Sequence, residues 1–188
     1  MEIEKLIEEL KKYINGNRYN HSIAVMEMCE KLSQKYNTDV EKTKKAGLMH
    51  DLAKELSEES KILYIKENNI EINDVEKANI DLTHGKIAAD ICKKNYGFDD
   101  EMCDAIKFHT TGKENMTMLQ KIVFISDKCD ETREYEAAQE LRRKALIDID
   151  QAIIDNIDYT IKKQIELNRP ILEKSIETRN FILINTKK

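Results

Sequence analysis

The sequence has few of the residues that interrupt helices and few of those that favour strands. It contains one proline, five glycines and no tryptophan, and 6% of its residues are aromatic. Sheet-rich proteins draw on aromatic residues and on glycine and proline turns, so this composition favours helices. A chain of 188 residues is long enough for one substantial core and too short for two independent ones. We therefore predict an all-α protein with a single helical domain over residues 1–188. Its core spans about residues 15–135, and C-terminal helices at about 148–184 pack on that core.

The sequence also lacks paired cysteines, long hydrophobic runs and a surface charge of one sign. Its four cysteines lie far apart without a C-x-x-C motif, so small buried thiols are expected rather than a zinc site or disulfides. The N-terminus begins with an amphipathic pattern and no apolar run approaches about 18 residues, which predicts no membrane span and a cytoplasmic location. The formal charge of -5 is spread over mixed lysine and glutamate, which predicts no duplex nucleic acid and no membrane as partner.

Two of the four histidines lie on the inward faces of predicted helices. His21 shares an apolar stripe with Val25 in a helix expected from about residue 18 to residue 36. His50 ends the inward face of the next helix, which begins near Val40. Because an apolar stripe faces the core, both imidazoles are predicted to point into the interior.

A second group of predicted helices surrounds the remaining histidines and an unusual aspartate. Asp127 interrupts the last turn of an apolar helix expected from Met116 to Cys129, which is predicted to be the most buried helix. Other helices are predicted from about residue 82 to residue 95, from Asp99 to His109, over residues 153–165, and from Pro170 to Leu183.

The pair His50-Asp51, followed one helical turn later by Lys54, is the strongest local motif. A His-Asp pair alone is weak support for a site, since it arises easily by chance. Four imidazoles in apolar surroundings and an isolated carboxylate at Asp127 are together costly to bury, and a shared cation offsets that cost. Nitrogen and oxygen ligands without thiolate suit iron, manganese or zinc rather than calcium. The sequence therefore predicts a divalent metal site.

The order of these residues resembles the HD superfamily of metal phosphohydrolases, whose pattern runs from a histidine through His-Asp and further histidines to a distal aspartate. In this chain the pattern reads His21, His50-Asp51, His84, His109 and Asp127. The resemblance narrows to the YqeK-like family of symmetrical diadenosine tetraphosphate hydrolases and extends from about residue 15 to the C-terminal helix. The motifs that carry it are Arg18-Tyr19-Asn20-His21-Ser22, His50-Asp51-Leu52-Ala53-Lys54, Thr83-His84-Gly85 and His109-Thr110-Thr111-Gly112.

The resemblance implies an all-helical enzyme with one or two iron ions, replaceable by manganese or zinc, that cleaves diadenosine tetraphosphate into two ADP. His21, His50, Asp51 and Asp127 would hold the first ion. Asp51 would bridge to a second ion at His84 and His109, or these two histidines would bind phosphate directly. A water activated by the metal would attack phosphorus, with Asp51 and Lys54 as catalytic residues.

The same resemblance implies a set of substrate contacts. Arg18 and Lys54 would neutralise phosphate oxygens, Lys54 as a point charge and Arg18 as a fork. Contacts to phosphate, ribose or nucleotide are also expected from Thr110, Thr111, Gly112, Arg133, Thr178 and Arg179. An ordinary turn explains residues 110–112 equally well.

One departure from the family pattern lies next to Asp127. Family members resemble Ala-Asp-x-Ile-Glu-Pro-x-Arg here, whereas this chain reads Ser126-Asp127-Lys128-Cys129-Asp130-Glu131-Thr132-Arg133. The aspartate and arginine survive and the proline does not. The backbone after Asp130 and the position of Arg133 are therefore the less secure part of the prediction.

Other functions remain open at this point. The same ligand order serves nucleotidases that act on nucleoside monophosphates, and a regulatory module that binds nucleotides without turnover would keep the fold. A cyclic dinucleotide phosphodiesterase ranks lower, since the sequence lacks the glycine-proline loop of those members. The sequence also allows a homodimer.

Overall fold

The chain folds into helices joined by short connections, as the computed structural model shows for residues 1–186. The described residues contain no strand, and the all-α prediction is confirmed. The helices are α1 (Ile3–Leu10), α2 (Gly16–Tyr36), α3 (Val40–Met49), α4 (Glu58–Glu67), α5 (Asp74–Ala78), α6 (His84–Tyr96), α7 (Asp100–Lys107), α8 (Met118–Cys129), α9 (Glu136–Ala145), α10 (Ile149–Glu166) and α11 (Glu173–Thr186), with a 3-10 turn at Ile80–Thr83.

The core forms around α8, which packs against α2, α3, α7, α9 and α10. This helix buries most of its residues, as its apolar sequence predicts. Its start is fixed by a capping box, because the Thr117 hydroxyl accepts from the Gln120 amide and the Gln120 side chain accepts from the Thr117 amide. All four cysteines are buried free thiols, which confirms their predicted role as small buried groups.

Glycine allows α2 and α3 to cross closely. A Cβ atom on Gly47 of α3 would lie 2.5 Å from Cys29 Sγ of α2, so only a residue without a side chain fits this contact. Since Gly47 is one helical turn before His50, the close crossing fixes the end of α3 against α2, the helix that carries His21.

Three predicted helix boundaries are wrong. The helix expected from about residue 82 begins at His84, directly after a 3-10 turn in which the Leu82 amide donates to the Asn79 carbonyl at 3.0 Å. The helix expected to reach His109 ends at Lys107. The last helix begins at Glu173 rather than at Pro170, which lies in the connection from α10.

The helix α9 was not predicted at all. Its inward stripe consists of Ala138, Leu141 and Ala145, and two of these three are alanines in a strongly charged segment, so the stripe is weakly apolar and easily missed. Within residues 1–186, no helix combines the length and hydrophobicity that crossing a membrane requires.

Candidate metal centre

Six side chains predicted as metal ligands meet in the interior of the helical core. They come from α2 (His21), the turn after α3 (His50 and Asp51), the start of α6 (His84), the turn after α7 (His109) and the last turn of α8 (Asp127). None is more than 7% exposed, the value for His21. Five separate chain segments therefore bring imidazoles and carboxylates to one buried place.

The carboxylate of Asp51 lies between two groups of ligands. Its Oδ2 atom is 3.5 Å from His50 Nε2 and 4.0 Å from His21 Nε2. Its Oδ1 atom is 3.2 Å from His84 Nε2 and 3.6 Å from His109 Nε2. On the far side of the first group, Asp127 Oδ1 is 3.0 Å from His21 Nε2 and 3.6 Å from His50 Nε2. Asp51 thus presents one oxygen to each pair of histidines.

Backbone carbonyls orient three of the four imidazoles. The Nδ1 atoms of His50, His84 and His109 lie 2.7, 2.6 and 2.7 Å from the carbonyl oxygens of Gly47, Asp81 and Ile106. Since a carbonyl oxygen can only accept, each Nδ1 carries the proton. The lone pair of each ring is then on Nε2, the atom that faces Asp51, which is the arrangement of histidines that bind metals.

The orientation of these rings leaves buried lone pairs without donors. His50 Nε2 is buried and has no hydrogen-bond partner in the described part of the chain. The Nε2 atoms of His84 and His109 are 3.1 Å apart, so two lone pairs face each other. A cation satisfies both conditions. Two groups of ligand atoms lie close enough to hold an ion: His21, His50 and Asp127, and His50, Asp51 and His109. The donor set therefore fits a divalent metal.

The charge states of Asp51, His109 and Asp127 agree with this assignment, whereas His21 would have to release a proton on binding a metal. Burial would raise the pKa of Asp51, but positive charge on His50, His84 and His109, or on an ion held between them, keeps it far below its usual value. Burial and the neighbouring His50 and His84 lower the pKa of His109, which keeps that ring neutral. Asp127 keeps a lowered pKa against burial because Lys128 and two histidines surround it. Charged carboxylates and neutral imidazoles are the forms that coordinate metals.

The HD-domain family model matches residues 18–132, which include all six of these ligands. The chain belongs to the HD-domain family. A protein of Halalkalibacterium halodurans named symmetrical bis(5'-nucleosyl)-tetraphosphatase is 31% identical over 97% of this chain and 98% of its own length. A Staphylococcus aureus protein with the same name is 32% identical over 96% of this chain and 94% of its own length.

A solved structure gives the same fold over the whole chain. The protein of Clostridium acetobutylicum, described as a predicted HD superfamily hydrolase involved in NAD metabolism, is 35% identical and superposes with a TM-score of 0.93. The superposition covers 100% of this chain and 99% of that one. The likeness therefore extends beyond the HD-domain match into α9, α10 and α11.

In this HD-domain protein each of the two ligand carboxylates pairs with a cationic side chain. Arg18 Nη1 donates to Asp51 Oδ2 at 2.7 Å, and Lys128 Nζ donates to Asp127 Oδ2 at 2.6 Å. Lys128 was not predicted, because a lysine next to an aspartate carries no motif of its own. Both cations contact a ligand carboxylate, so each lies where a phosphate near the metal would be neutralised.

The loop after Asp127 keeps Arg133 in place without the proline of the family pattern. Asp130 Oδ1 accepts from the Thr132 amide at 3.0 Å and from the Thr132 hydroxyl, which closes an Asx turn. Arg133 Nε then donates to the Asp127 carbonyl at 3.0 Å and to Asp130 Oδ2 at 2.9 Å. With Glu131 at the position of the family's proline, Arg133 is still held beside Asp127 by these bonds.

Asp130 is a further residue of the site that the sequence interpretation did not assign. It is fully buried, and its Oδ2 lies 3.3 Å from His21 Nδ1. Burial alone would lower the pKa of His21, but hydrogen bonds to Asp127 and Asp130 raise it to about 9. Asp130 thus orients His21 as the backbone carbonyls orient the other three histidines. The acidic position of the family pattern was the signal that pointed to it.

The remaining predicted contacts lie around the centre rather than in it. Lys54 is half-buried and its charge lowers the pKa of Asp81, after the larger effect of Lys61. Thr110 lines a cavity together with Lys128. The Thr111 hydroxyl donates to the neighbouring Gly112 carbonyl.

The two predicted contacts on α11 are engaged elsewhere. Thr178 is buried, packs against Gly112, and donates its hydroxyl to the Lys174 carbonyl. Arg179 pairs with Asp158 of α10. In residues 1–186 neither side chain is hydrogen-bonded to a predicted metal ligand. Their contact with a nucleotide stays a prediction.

Proposed function

We propose that this HD-domain protein is a metal-dependent hydrolase that cleaves diadenosine tetraphosphate symmetrically into two ADP. The observation that carries the proposal is the convergence of three buried Nε2 lone pairs on Asp51, each fixed by a backbone carbonyl. Such an arrangement has no structural use without a cation. The full-length likeness to two proteins named symmetrical bis(5'-nucleosyl)-tetraphosphatase supports the choice of substrate.

The proposed metal is iron, as one or two ions, with manganese or zinc as substitutes. His21, His50, Asp51 and Asp127 hold the first ion, and Asp51, His84 and His109 hold the second. Nitrogen and oxygen donors bind all three metals, so the metal available during expression decides which one is bound. When bound, the metal shields phosphate charge and lowers the pKa of water.

The chain's own cations bind the phosphates on either side of the centre. Arg18 and Lys128 each contact a ligand carboxylate, so they reach oxygens of a phosphate at the metal. Arg133 is held by Asp130 and donates toward Asp127 Oδ1 at 3.4 Å, which fixes the direction of its guanidinium. Lys54, one turn after His50, supplies a further positive charge. These residues orient the phosphate chain and stabilise its charge during cleavage.

The space around Lys128 suits a substrate with two nucleosides. A cavity of about 360 Å³ and another of about 550 Å³ both include Thr110, Lys128 and Thr160 in their walls. Lys128 therefore lies between two spaces, each within the size range of small-molecule sites. A phosphate chain cleaved at its centre leaves one nucleoside on each side of the metal.

Product analysis tests the proposal directly. Manganese-loaded protein is incubated with diadenosine tetraphosphate, and the products are separated by anion-exchange chromatography. ADP should be the sole nucleotide product, its formation should stop with a chelator, and added manganese should restore it. ATP with AMP would show asymmetric cleavage and contradict the proposal. Phosphate released from AMP, without turnover of the dinucleotide, would favour a nucleotidase.

A further inference from the structure

The smaller of the two cavities has cationic, apolar and aromatic side chains in its walls, together with the carboxylates of Glu140 and Asp155. Lys128 and Arg133 form the end of this 360 Å³ cavity nearest the metal centre. Leu141 of α9 contributes apolar surface, and Tyr135 and Tyr159 flank it from the start of α9 and from α10. Most of the lining lies after residue 132, outside the HD-domain match.

The cavity and the metal centre share two cations. Lys128 Nζ is 2.6 Å from Asp127 Oδ2, and Arg133 Nη2 is 3.4 Å from Asp127 Oδ1. A phosphate bound at the metal therefore has its neighbouring sugar and base directed toward the cations' side of the centre. The 360 Å³ cavity lies on the same side, since Lys128 and Arg133 are part of its wall.

Both tyrosines expose aromatic surface next to this cavity. Tyr135 is 57% exposed and Tyr159 is 60% exposed, whereas the ring of Phe124 is buried in the core. Aromatic faces beside a cationic groove are the usual platform on which nucleobases stack, and stacking tolerates any base.

A polar group lies on the same face of α10. Asn156 also lines the cavity and precedes Tyr159 by three residues, so the two side chains project from one side of the helix. Among the side-chain hydrogen bonds of residues 1–186, none involves the Asn156 amide. An amide offers a donor and an acceptor together, which matches the edge of adenine.

We infer that this cavity is the nucleobase subsite for one half of the substrate, in which Tyr135 and Tyr159 stack on the purine and Asn156 binds its edge. The identity of the nucleotide rests on the proposed function. The subsite itself rests on the two cations that the cavity shares with the metal centre and on the aromatic and polar walls of the cavity. It accounts for surface residues that neither the fold nor the metal centre requires.

Calorimetry with two ligands that differ only in the nucleoside part tests the inference. ADP and inorganic pyrophosphate are titrated into manganese-loaded protein. The variant Tyr135→Ala/Tyr159→Ala should bind ADP at least about tenfold more weakly, given the strength of stacking on aromatic side chains, and pyrophosphate within about twofold of the wild type. The matched variant Tyr135→Phe/Tyr159→Phe keeps both rings and should bind ADP within about threefold of the wild type.

Three outcomes would overturn the subsite. They are ADP affinity unchanged in the alanine variant, equal weakening of ADP and pyrophosphate, and a wild type that binds pyrophosphate but not ADP. If the alanine variant loses a dimer seen by sedimentation while its ADP affinity stays unchanged, the face contacts a second copy and the inference is wrong. Since both tyrosines are exposed, a thermal melt should show a folded variant.

Failure of the proposed function is distinguishable from failure of the subsite. ADP binding that depends on the tyrosines, without turnover of diadenosine tetraphosphate, supports the subsite and contradicts the hydrolase. Turnover to ADP with affinity independent of the tyrosines supports the hydrolase and contradicts the subsite.

Discussion

The metal centre and the C-terminal helices hold their polar side chains in different ways. At the centre, three imidazoles are held by carbonyls of their own turns and a fourth by Asp130, all out of contact with water. On α10 and α11 the charged groups meet at the surface, as in the partly exposed pair of Arg179 with Asp158. Buried hydrogen bonds hold one geometry, whereas exposed pairs are weak and easily rearranged. The comparison shows that the candidate metal site is held in one geometry, whereas the surface beside it can rearrange. We call the buried centre with its hydrogen bonds the rigid region, and the exposed surface of α10 and α11 the adaptable region.

The largest test of this contrast is the substitution Asp51→Asn. The amide keeps the shape of the side chain but removes the negative charge and one of the two acceptor oxygens that face the histidine pairs. We expect bound metal to fall well below that of the wild type and turnover to fall roughly a thousandfold or more, since the metal supplies most of the activation of water. Metal analysis of the dialysed protein and initial rates on diadenosine tetraphosphate measure the two effects.

The matched control is Asp130→Asn, which changes a carboxylate that orients His21 without facing the other histidines. Loss of an orienting partner lowers metal affinity by about 10–100-fold, so this variant should regain metal and activity at high manganese concentration. Urea unfolding of the metal-free proteins separates loss of the ion from loss of the fold. Wild-type metal content and turnover in Asp51→Asn would contradict the assignment of Asp51 to the centre.

The second prediction concerns the joint between the two regions, where Gly112 meets Thr178. Gly112 has a φ of +68°, and a Cβ there would lie 2.5 Å from Thr178 Cγ2. Gly97 has the same φ of +68° and nothing within 4 Å of such an atom. Gly97→Ala should lower the free energy of unfolding by about 1 kcal/mol through backbone strain, and Gly112→Ala by about 2–3 kcal/mol because a clash is added.

A double-mutant cycle with Thr178→Ala isolates the clash from the strain. In a Thr178→Ala background, Gly112→Ala should lower the free energy of unfolding by less than it does in the wild type, because the crowding side-chain atoms of residue 178 are gone. Equal destabilisation by Gly97→Ala and Gly112→Ala, measured by urea unfolding, would show that α11 moves away from the turn at no cost. The joint would then belong to the adaptable region.

The sequence predicted which residues meet at the candidate metal centre better than it predicted the surface beside it, for physical reasons. Histidine is rare here, all four residues of this type are buried, and periodicity marks His21 and His50 as inward-facing. Helix α9 escaped prediction because its apolar stripe is formed mostly of alanine, with Leu141 as its one large member, in a strongly charged segment. Tyr135 and Tyr159 also escaped, because an exposed tyrosine in a sequence is indistinguishable from ordinary surface until a cavity is found beneath it.

Helix ends around the ligands were also beyond the sequence. His109 was predicted inside a helix, yet it lies past Lys107, where its Nδ1 donates to the Ile106 carbonyl. His84 opens a helix rather than lying within one. In both cases the imidazole donates to a carbonyl three residues earlier, which also accepts from a backbone amide at the end of the turn, and periodicity does not register such contacts.

The third prediction tests how far the rigid region extends. Lys61 is only 2% exposed, and its Nζ donates to Asp81 Oδ1 at 2.5 Å and to the Lys54 carbonyl at 3.1 Å. The Asp81 carbonyl in turn holds His84. Lys61→Met keeps the volume and removes both bonds, so the free energy of unfolding should fall by about 1–2 kcal/mol and metal affinity by about tenfold.

The exposed pair of Lys77 with Asp74 provides the comparison for Lys61. Their side chains are 60% and 95% exposed, so Lys77→Met should change the free energy of unfolding by less than about 0.5 kcal/mol. Urea unfolding measures both variants, and manganese titration measures the affinity. If Lys61→Met is as stable as Lys77→Met, the bonds of Lys61 do not stabilise the 3-10 turn, and the rigid region does not extend to Lys61.

The smallest effect is expected from substitution of Lys54, whose burial is intermediate between that of the metal centre and that of the exposed surface. It follows His50 by one turn, is half-buried and is not assigned to the metal. Lys54→Ala should therefore keep its metal and lose about tenfold in kcat, since one charge on the phosphates is removed, whereas Lys54→Arg should keep most of the rate. Rates and metal content are measured on the same samples. If Lys54→Ala turns over as fast as the wild type, the cations that contact the ligand carboxylates are sufficient, and the charge needed for cleavage lies entirely within the rigid region.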